Sequence, residues 1–509
     1  MQLLGRFATL LAGLLLVGLC EVGLWLLDIG PDDDLLIAEG NAYRLNPHAA
    51  RRFFPHQYAR LAPGQDRFAR EKGGDAFRVF ALGASTLLGF PNPAQTSFPN
   101  FLQLMLEDAY PGRRIEVVNC GITAINSFVL LDFIEEVVEQ QPDLVLIYAG
   151  HNEFIGPYGA ATPFVRLSGQ RSFIRLQMLL QRSKIYYLLG EVVHYAGQLL
   201  WDDREAPSFG VHLVQREVYL GDEAHRRTEE NYRLNLRRIL EIAHVRDVPV
   251  ALCTLVSNLE GFHPLRSQTP HPPIGSAPQG LLADYPHHAA LHFAAGLTWR
   301  AAGDSAAALA AFKRARDLDA IHLRACTPFN EIIRQLAAEP GAWLIDVERA
   351  FSAHSAHGLI GDELISEYLH PTAMGHHLIA RRVLAAVVER AGELGLVGGD
   401  FDRLDSFAGY SRRLGYGVCD RVLARNDLIL LLRRMPYRQR PRTLERRLVQ
   451  LVDEQLRELP KMSYAQIADF ARRGGFRFLA DTIGELGADD QNQLSARLQA
   501  LAVPLGLAP

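Results

Sequence analysis

Residues 77–91 read FRVFALGASTLLGFP, a run with aromatic and β-branched side chains, apolar but for Arg78, that stops at Gly83 and presents a serine two positions later. A strand buried on both faces reads as such a run, and open α/β sheets place their sites just beyond the carboxyl ends of their strands. Ser85 therefore stands where a sheet edge would display it. Glycine and serine are also ordinary turn residues, so the stretch alone is compatible with a plain turn. What decides is whether other strands end in the same way.

Four later segments also read as strands: 114–119 (RIEVVN) running into Cys120 and Gly121, 143–149 (DLVLIYA) running into Gly150, His151, Asn152 and Glu153, 248–256 (VPVALCTLV), and 342–347 (AWLIDV). Helical patterns lie between them, at 98–109, 127–140, 172–201 and 228–244, and a last one begins at Pro371 and runs to about 390. Strands alternating with helices at this spacing predict right-handed βαβ units and a mostly parallel sheet, hence an α/β fold.

At 509 residues the chain is too long for one compact core. A hydrophobic fraction of 48% and a charged fraction of 22% describe a folded protein, and a net charge of -4 supplies no positive field to hold a phosphate backbone. Nucleic acid is not an expected partner. Five scattered cysteines without a CxxC pair argue against a disulfide framework or a zinc ribbon. His263, His271, His287 and His288 crowd a proline-rich excursion, yet they have neither helical spacing nor a carboxylate beside them, so no metal and no other cofactor is expected. GxSxG, HExxH, P-loop and GxGxxG motifs are all missing.

The amino-terminal end adds a membrane expectation. Residues 7–27 are apolar except for Thr9 and Glu21, with Arg6 before them and Asp32, Asp33 and Asp34 after. About 20 such residues cross a bilayer as a helix. A cleavable signal peptide fits less well, because no small-x-small site closes the run. Arg6 orients an uncleaved single-pass anchor with the rest of the chain outside the cytoplasm. The expected organisation is an anchor at 1–30, an irregular juxtamembrane lead-in at 31–74, the α/β domain at 75–394 and a helical region at 395–509 with a basic stretch at 433–447.

Within the α/β domain, 285–322 differs in texture. Gly296, Trp299, Gly303, Ala308, Phe312 and Ala315 fall at the spacings of a tetratricopeptide unit, in which small residues let two antiparallel helices approach. A lone repeat cannot bury its apolar face, so this insertion must dock on the sheet domain or on neighbouring helices. An alanine-rich helical hairpin would serve the same purpose.

Ser85, Gly121 and Asn152 each follow a strand, and His370 follows the fifth, with Glu367 three positions before it. In that order the blocks GAST (83–86), NCGI (119–122), GHNE (150–153) and EYLH (367–370) resemble those of the SGNH (GDSL-like) hydrolase superfamily. The chain is also similar to a bacterial branch in which a membrane anchor precedes this domain and tetratricopeptide units are added. The resemblance implies a flavodoxin-like three-layer α/β/α fold with Ser85 as nucleophile and His370 as its base. Glu367 would orient His370, with Asp362 as the fallback, and the oxyanion donors would be the N–H groups of Ser85 and Gly121 and the Asn152 amide. Ala84 stands where the family has the Asp of its GDSL block, and Glu367 where it has another Asp. His151, His376 and His377 read as helical or pocket-wall residues.

The implied activity is hydrolysis of an acyl or acetyl ester, of lipid, glycan or small molecule, through an acyl-enzyme. The rivals are transfer of the acyl group to a surface glycan, governed by the loop at 152–169, and an idle site on a scaffold whose helical insertion offers a surface to a protein partner.

Overall fold

The computed structural model describes residues 2–30, 32–54, 64, 66–162, 170–200, 216–273, 277–434, 437 and 442–502. Parts of the 152–169 loop, of the proline-rich excursion and of the 433–447 stretch thus lie outside the described residues.

The amino-terminal α1 (Gln2–Leu26) is one continuous helix. The side chains of residues 2–5, 7–10 and 14 fall outside the description, and among the described residues no helix is long and apolar enough to cross a membrane. The lead-in is not irregular. It forms an antiparallel sheet of β1 (Leu36–Glu39), β2 (Ala42–Leu45) and β3 (Arg67–Ala69), laid against the main domain by an edge-to-face contact of Phe68 and Phe80 at 5.1 Å. Strands of three or four residues carry too short an alternation to stand out in an arginine-rich stretch.

The main sheet begins with β4 (Ala76–Gly83), all of whose residues are buried. A single turn, α2 (Ser85–Leu88), leads to α3 (Phe98–Ala109), β5 (Arg114–Gly121), α4 (Ser127–Glu139) and β6 (Leu144–Tyr148). The helix expected over 172–201 is two: α5 (Arg171–Gln181) and α6 (Lys184–Leu200). Glu21 of α1 explains the break, since its carboxylate accepts the Lys184 N–H at 2.6 Å, the Ile185 N–H at 3.0 Å and the Ser183 hydroxyl at 2.8 Å. The one acid in the apolar run is thereby a helix cap.

Then come α7 (Glu223–Val245), β7 (Val250–Cys253), the hairpin of α8 (Ala289–Ala301) and α9 (Ser305–Asp317), α10 (Thr327–Leu336), β8 (Ala342–Ile345), α11 (Val347–His354) and α12 (Ala373–Glu389). The five main strands are parallel in the order β5-β4-β6-β7-β8. Counted from β4 this is 2-1-3-4-5, the flavodoxin-like order, whose switch point lies between the first and third strands. Helices α3 and α12 pack together, as do α4 and α7. Helix α12 starts after Pro371, which instead pairs with Ile365; Thr372 caps the helix, its Oγ1 accepting the Gly375 N–H at 3.0 Å.

The insertion is a helical hairpin whose apolar face docks on the main domain through Leu259 and Leu359, beside Phe293 and Phe312. Beyond it, α13 (Phe407–Arg413), α14 (Val418–Leu432), α15 (Arg442–Glu458), α16 (Tyr464–Arg472), α17 (Gly475–Ile483) and α18 (Ala488–Ala502) make the carboxyl-terminal region helical. Its buried apolar residues, among them Leu428, Leu444 and Leu479, are continuous with the core of the sheet domain.

Candidate active site

Strands β4 and β6 lie side by side in register from Val79 opposite Leu144 to Gly83 opposite Tyr148. Ser85 and Asn152, which follow these strands, therefore leave the sheet at its switch point. The turn into α2 is tight: a Cβ on Gly83 would sit 2.4 Å from the Tyr148 carbonyl, so only glycine lets the chain bend there. Ser85 occupies the first position of α2, where a backbone N–H has no partner within the helix.

His370 reaches this point from a closed turn. The Ser366 N–H donates to the His370 carbonyl at 2.7 Å and the Thr372 N–H to the Leu364 carbonyl at 2.9 Å. The His370 Nε2 lies 2.7 Å from Ser85 Oγ, and His370 Nδ1 bonds Glu367 Oε1. With Nδ1–H on the carboxylate, Nε2 is the acceptor for the serine proton. Phe90 packs edge-to-face on the imidazole at 4.9 Å. Glu367 is fully buried; burial alone would raise its pKa, but the His370 imidazole and the N–H groups of His370 (2.8 Å) and Leu369 (3.2 Å) hold it below its usual value. Asp362 does not touch the histidine. It accepts the Asn258 amide at 2.7 Å and faces Arg447 at 3.3 Å.

Gly121 and Asn152, both expected as oxyanion donors, have unequal surroundings. The Gly121 N–H is spent on Asn119 Oδ1 at 2.9 Å, and a Cβ on Gly121 would meet the Leu88 nitrogen at 2.5 Å, so this glycine serves the close approach of β5 to α2. Asn119, the first residue of the NCGI block, braces the same turn by donating to the Leu87 carbonyl and Ser97 Oγ, both at 3.1 Å. Three residues beyond Gly121, Ala124 is held in the left-handed region at φ 63°, and its N–H has no acceptor among the described residues. The Asn152 side chain sits on the same loop, donating to the Ile125 carbonyl at 3.0 Å and keeping its second N–H. A positive φ on alanine leaves no mark in a sequence, so nothing there singles out Ala124.

The buried neighbours are poised by their surroundings. Burial pushes Glu153 up to about 7 although the Ser127 N–H and hydroxyl both bond it, at 2.9 and 2.7 Å. His151 is driven down to about 3, first by burial and then by the nearby His370; its Nδ1 accepts the Ala325 N–H at 3.1 Å. His376, deep in α12, is likewise pushed to about 3 by burial. His377 packs against Phe101 and Phe407. His271 and His288 contact each other at 3.2 Å, while His263 turns to the Pro264 carbonyl.

The helical region leans on the His370 turn. Arg447 of α15 donates to the Ser366 carbonyl at 3.3 Å, and the Tyr437 ring lies 5.4 Å from that of Tyr368. A cavity of about 450 Å³ opens between them, bounded by Asn92, Asp362, Ser366, Thr372, Arg421 and Arg447; neither Ser85 nor His370 is on its walls.

A parallel α/β sheet with a serine, a histidine and a carboxylate in hydrogen-bonded series at its switch point is the framework of a serine-dependent hydrolase. The family model of GDSL-like lipases/acylhydrolases matches residues 81–378, more than half of the chain, and the chain belongs to that family. It is an enzyme that hydrolyses esters. Among solved structures, the chain is similar to an acetyl xylan esterase (13% identity, 61% of this chain and 100% of that one, TM-score 0.31). It is also similar to the acetylxylan esterase Axe2 from Geobacillus stearothermophilus (16%, 62% and 96%, 0.30) and to a GDSL-like lipase from Bacteroides thetaiotaomicron (13%, 63% and 92%, 0.31). No curated protein matches it.

Proposed function

We propose that the chain is a serine esterase that removes acyl or acetyl groups by way of an acyl-enzyme on Ser85. The observation that carries this is the series Ser85 Oγ, His370 Nε2, His370 Nδ1, Glu367. His370 Nε2 takes the Ser85 proton as Oγ bonds to the acyl carbon. The carbonyl oxygen, now negative, is met by the N–H groups of Ser85 and Ala124 and the free N–H of Asn152, with Ala124 in the place first given to Gly121. Collapse breaks the ester bond, His370 hands its proton to the departing alcohol, and a water deprotonated by His370 releases the acid. Glu367 stays ionised and holds the imidazole tautomer.

The test is labelling with a fluorophosphonate, followed by ester turnover. Ser85→Ala should abolish both. A wild-type chain that stays unlabelled would overturn the reading and favour a scaffold. Partition of the acyl group between water and a sugar hydroxyl distinguishes the hydrolase from an acyltransferase.

We also propose that α1 attaches the enzyme to a membrane, single-pass, with the catalytic domain outside the cytoplasm. Support comes from the apolar run at 7–27 and from apolar side chains left exposed on three neighbouring helices, among them Leu15, Leu16 and Leu19 of α1, Leu179 of α5, and Leu189 and Val193 of α6. Exposed apolar side chains on helices that pack together, α1 on α6 and α6 on α5, fit a contact surface. If the full chain fractionates with soluble protein before any detergent is added, the attachment is disproved.

A further inference from the structure

Away from Ser85, three side chains of metal-ligating type meet in the interior. His225 lies in the first turn of α7, and His322 and Cys326 lie on the segment leading from the hairpin into α10. All three are buried, and their ligating atoms lie within 4.8 Å of one another. Buried imidazole nitrogens normally find partners. His322 Nε2 faces the Val218 carbonyl at 2.9 Å, which makes Nε2 the N–H donor and leaves the Nδ1 lone pair beside Cys326 Sγ at 3.2 Å. His225 Nδ1 lies 2.8 Å from Glu229 Oε1, one helical turn on and off the line of a hydrogen bond; His225 Nε2 is buried with no partner among the described residues. Each imidazole thus keeps one nitrogen beside an oxygen and one unspent. Outer oxygens fix metal-bound histidines in the same way.

We propose that His225, His322 and Cys326 bind one zinc ion, with Glu229 as the positioning residue beside His225. Two imidazoles and a thiolate are a donor set that tetrahedral zinc accepts, and water completes the fourth position. A set of nitrogen and sulfur without a ligating carboxylate does not suit magnesium or calcium. On binding, the Cys326 S–H bond breaks, its proton passes to solvent and the sulfur–zinc bond forms.

The ion braces the loop that carries Asn152. Phe154, two residues further along, stacks on the His322 ring at 4.2 Å and lies 5.1 Å from that of His225. The Ala325 N–H, next to Cys326, holds His151 Nδ1. Zinc therefore ties α7 to the segment after the hairpin and supports the oxyanion loop from behind, without touching substrate.

The test is metal analysis of the untagged full chain purified from zinc-containing medium. About one zinc per chain is expected, lost in Cys326→Ser and His322→Gln and retained in Cys253→Ala, which removes a buried cysteine elsewhere. Because those variants could misfold, wild-type protein stripped of metal is also titrated with Co²⁺ alone. Tetrahedral visible bands and a thiolate-to-cobalt charge-transfer band should appear. A wild-type chain with neither zinc nor these bands, or a folded Cys326→Ser chain that keeps its zinc, would overturn the site.

Discussion

The Glu367 oxygen that faces the His370 imidazole also accepts the backbone N–H of His370, at 2.8 Å. The longer acid, standing where the family has an aspartate, curls back on its own turn and fixes backbone and ring together. Replacing it by glutamine removes the charge that holds the Nδ1–H tautomer. Glu367→Gln is expected to lower kcat by roughly 10²- to 10⁴-fold with KM little changed, read from steady-state ester hydrolysis.

The two candidates for the oxyanion loop separate cleanly. Asn152→Ala should cost about 10²- to 10³-fold in kcat while the unfolding midpoint barely moves. Gly121→Ala, whose new Cβ would meet the Leu88 nitrogen at 2.5 Å, should instead cost stability, about 1–3 kcal/mol. Denaturant titration of both variants checks the contrast.

Ala124 holds a left-handed backbone at φ 63°. For an L-residue that conformation costs about 1–2 kcal/mol, part of which glycine gives back through its greater unfolded freedom. Ala124→Gly should therefore stabilise the chain by about 1 kcal/mol and keep its activity, as measured by chemical denaturation and turnover.

Glu153 gives a pH signature of definite sign. Its folded pKa is raised from 4.5 to about 7 by burial, so its stabilising effect is complete below the unfolded value and is lost as pH climbs from 4.5 through about 7. Glu153→Gln stays neutral throughout. The wild type should therefore lose ground to Glu153→Gln over that interval, by up to about 1.4 kcal/mol per pH unit. A difference between the two unfolding curves that stays level from pH 4.5 to 8 would refute this.

In the hairpin, a Cβ on Gly296 would sit 2.7 Å from Phe312 Cε1. Gly296→Ala should push α8 from α9 and destabilise by about 1–3 kcal/mol, with local loss of amide protection in 289–317 measured by hydrogen exchange.

Long apolar strands and the residues that end them were legible because burial on both faces writes itself as an apolar run. Phe77 to Leu82 was readable on that ground, and the helix at Phe98–Ala109 from the helical spacing of Phe101, Leu102, Met105 and Leu106. The meeting of Ser85, His370 and Glu367 was readable only through order and strand context, since no local pattern encodes a contact across 285 residues. Three things left no trace. Strands β1 to β3 are too short for a period, Ala124 owes its role to a dihedral angle, and Asn119 spends its side chain on a turn distant in sequence. Glu21 stands out in its apolar run, but its partners at Lys184 and Ile185 belong to a helix boundary inside the amphipathic stretch 172–201, which reads as one helix. His225 lies about a hundred residues before His322 and Cys326, so no spacing in the sequence marks the three as a set.

Arg447 props the turn that bears His370, although it is encoded well beyond the last strand of the sheet. A minimal catalytic fragment therefore cannot stop where the family match ends at residue 378. Clones cut there would retain every reacting atom and still work poorly, and activity should return only in those long enough to include α15. The rate at which an ester is cleaved would then depend on residues that never come near one.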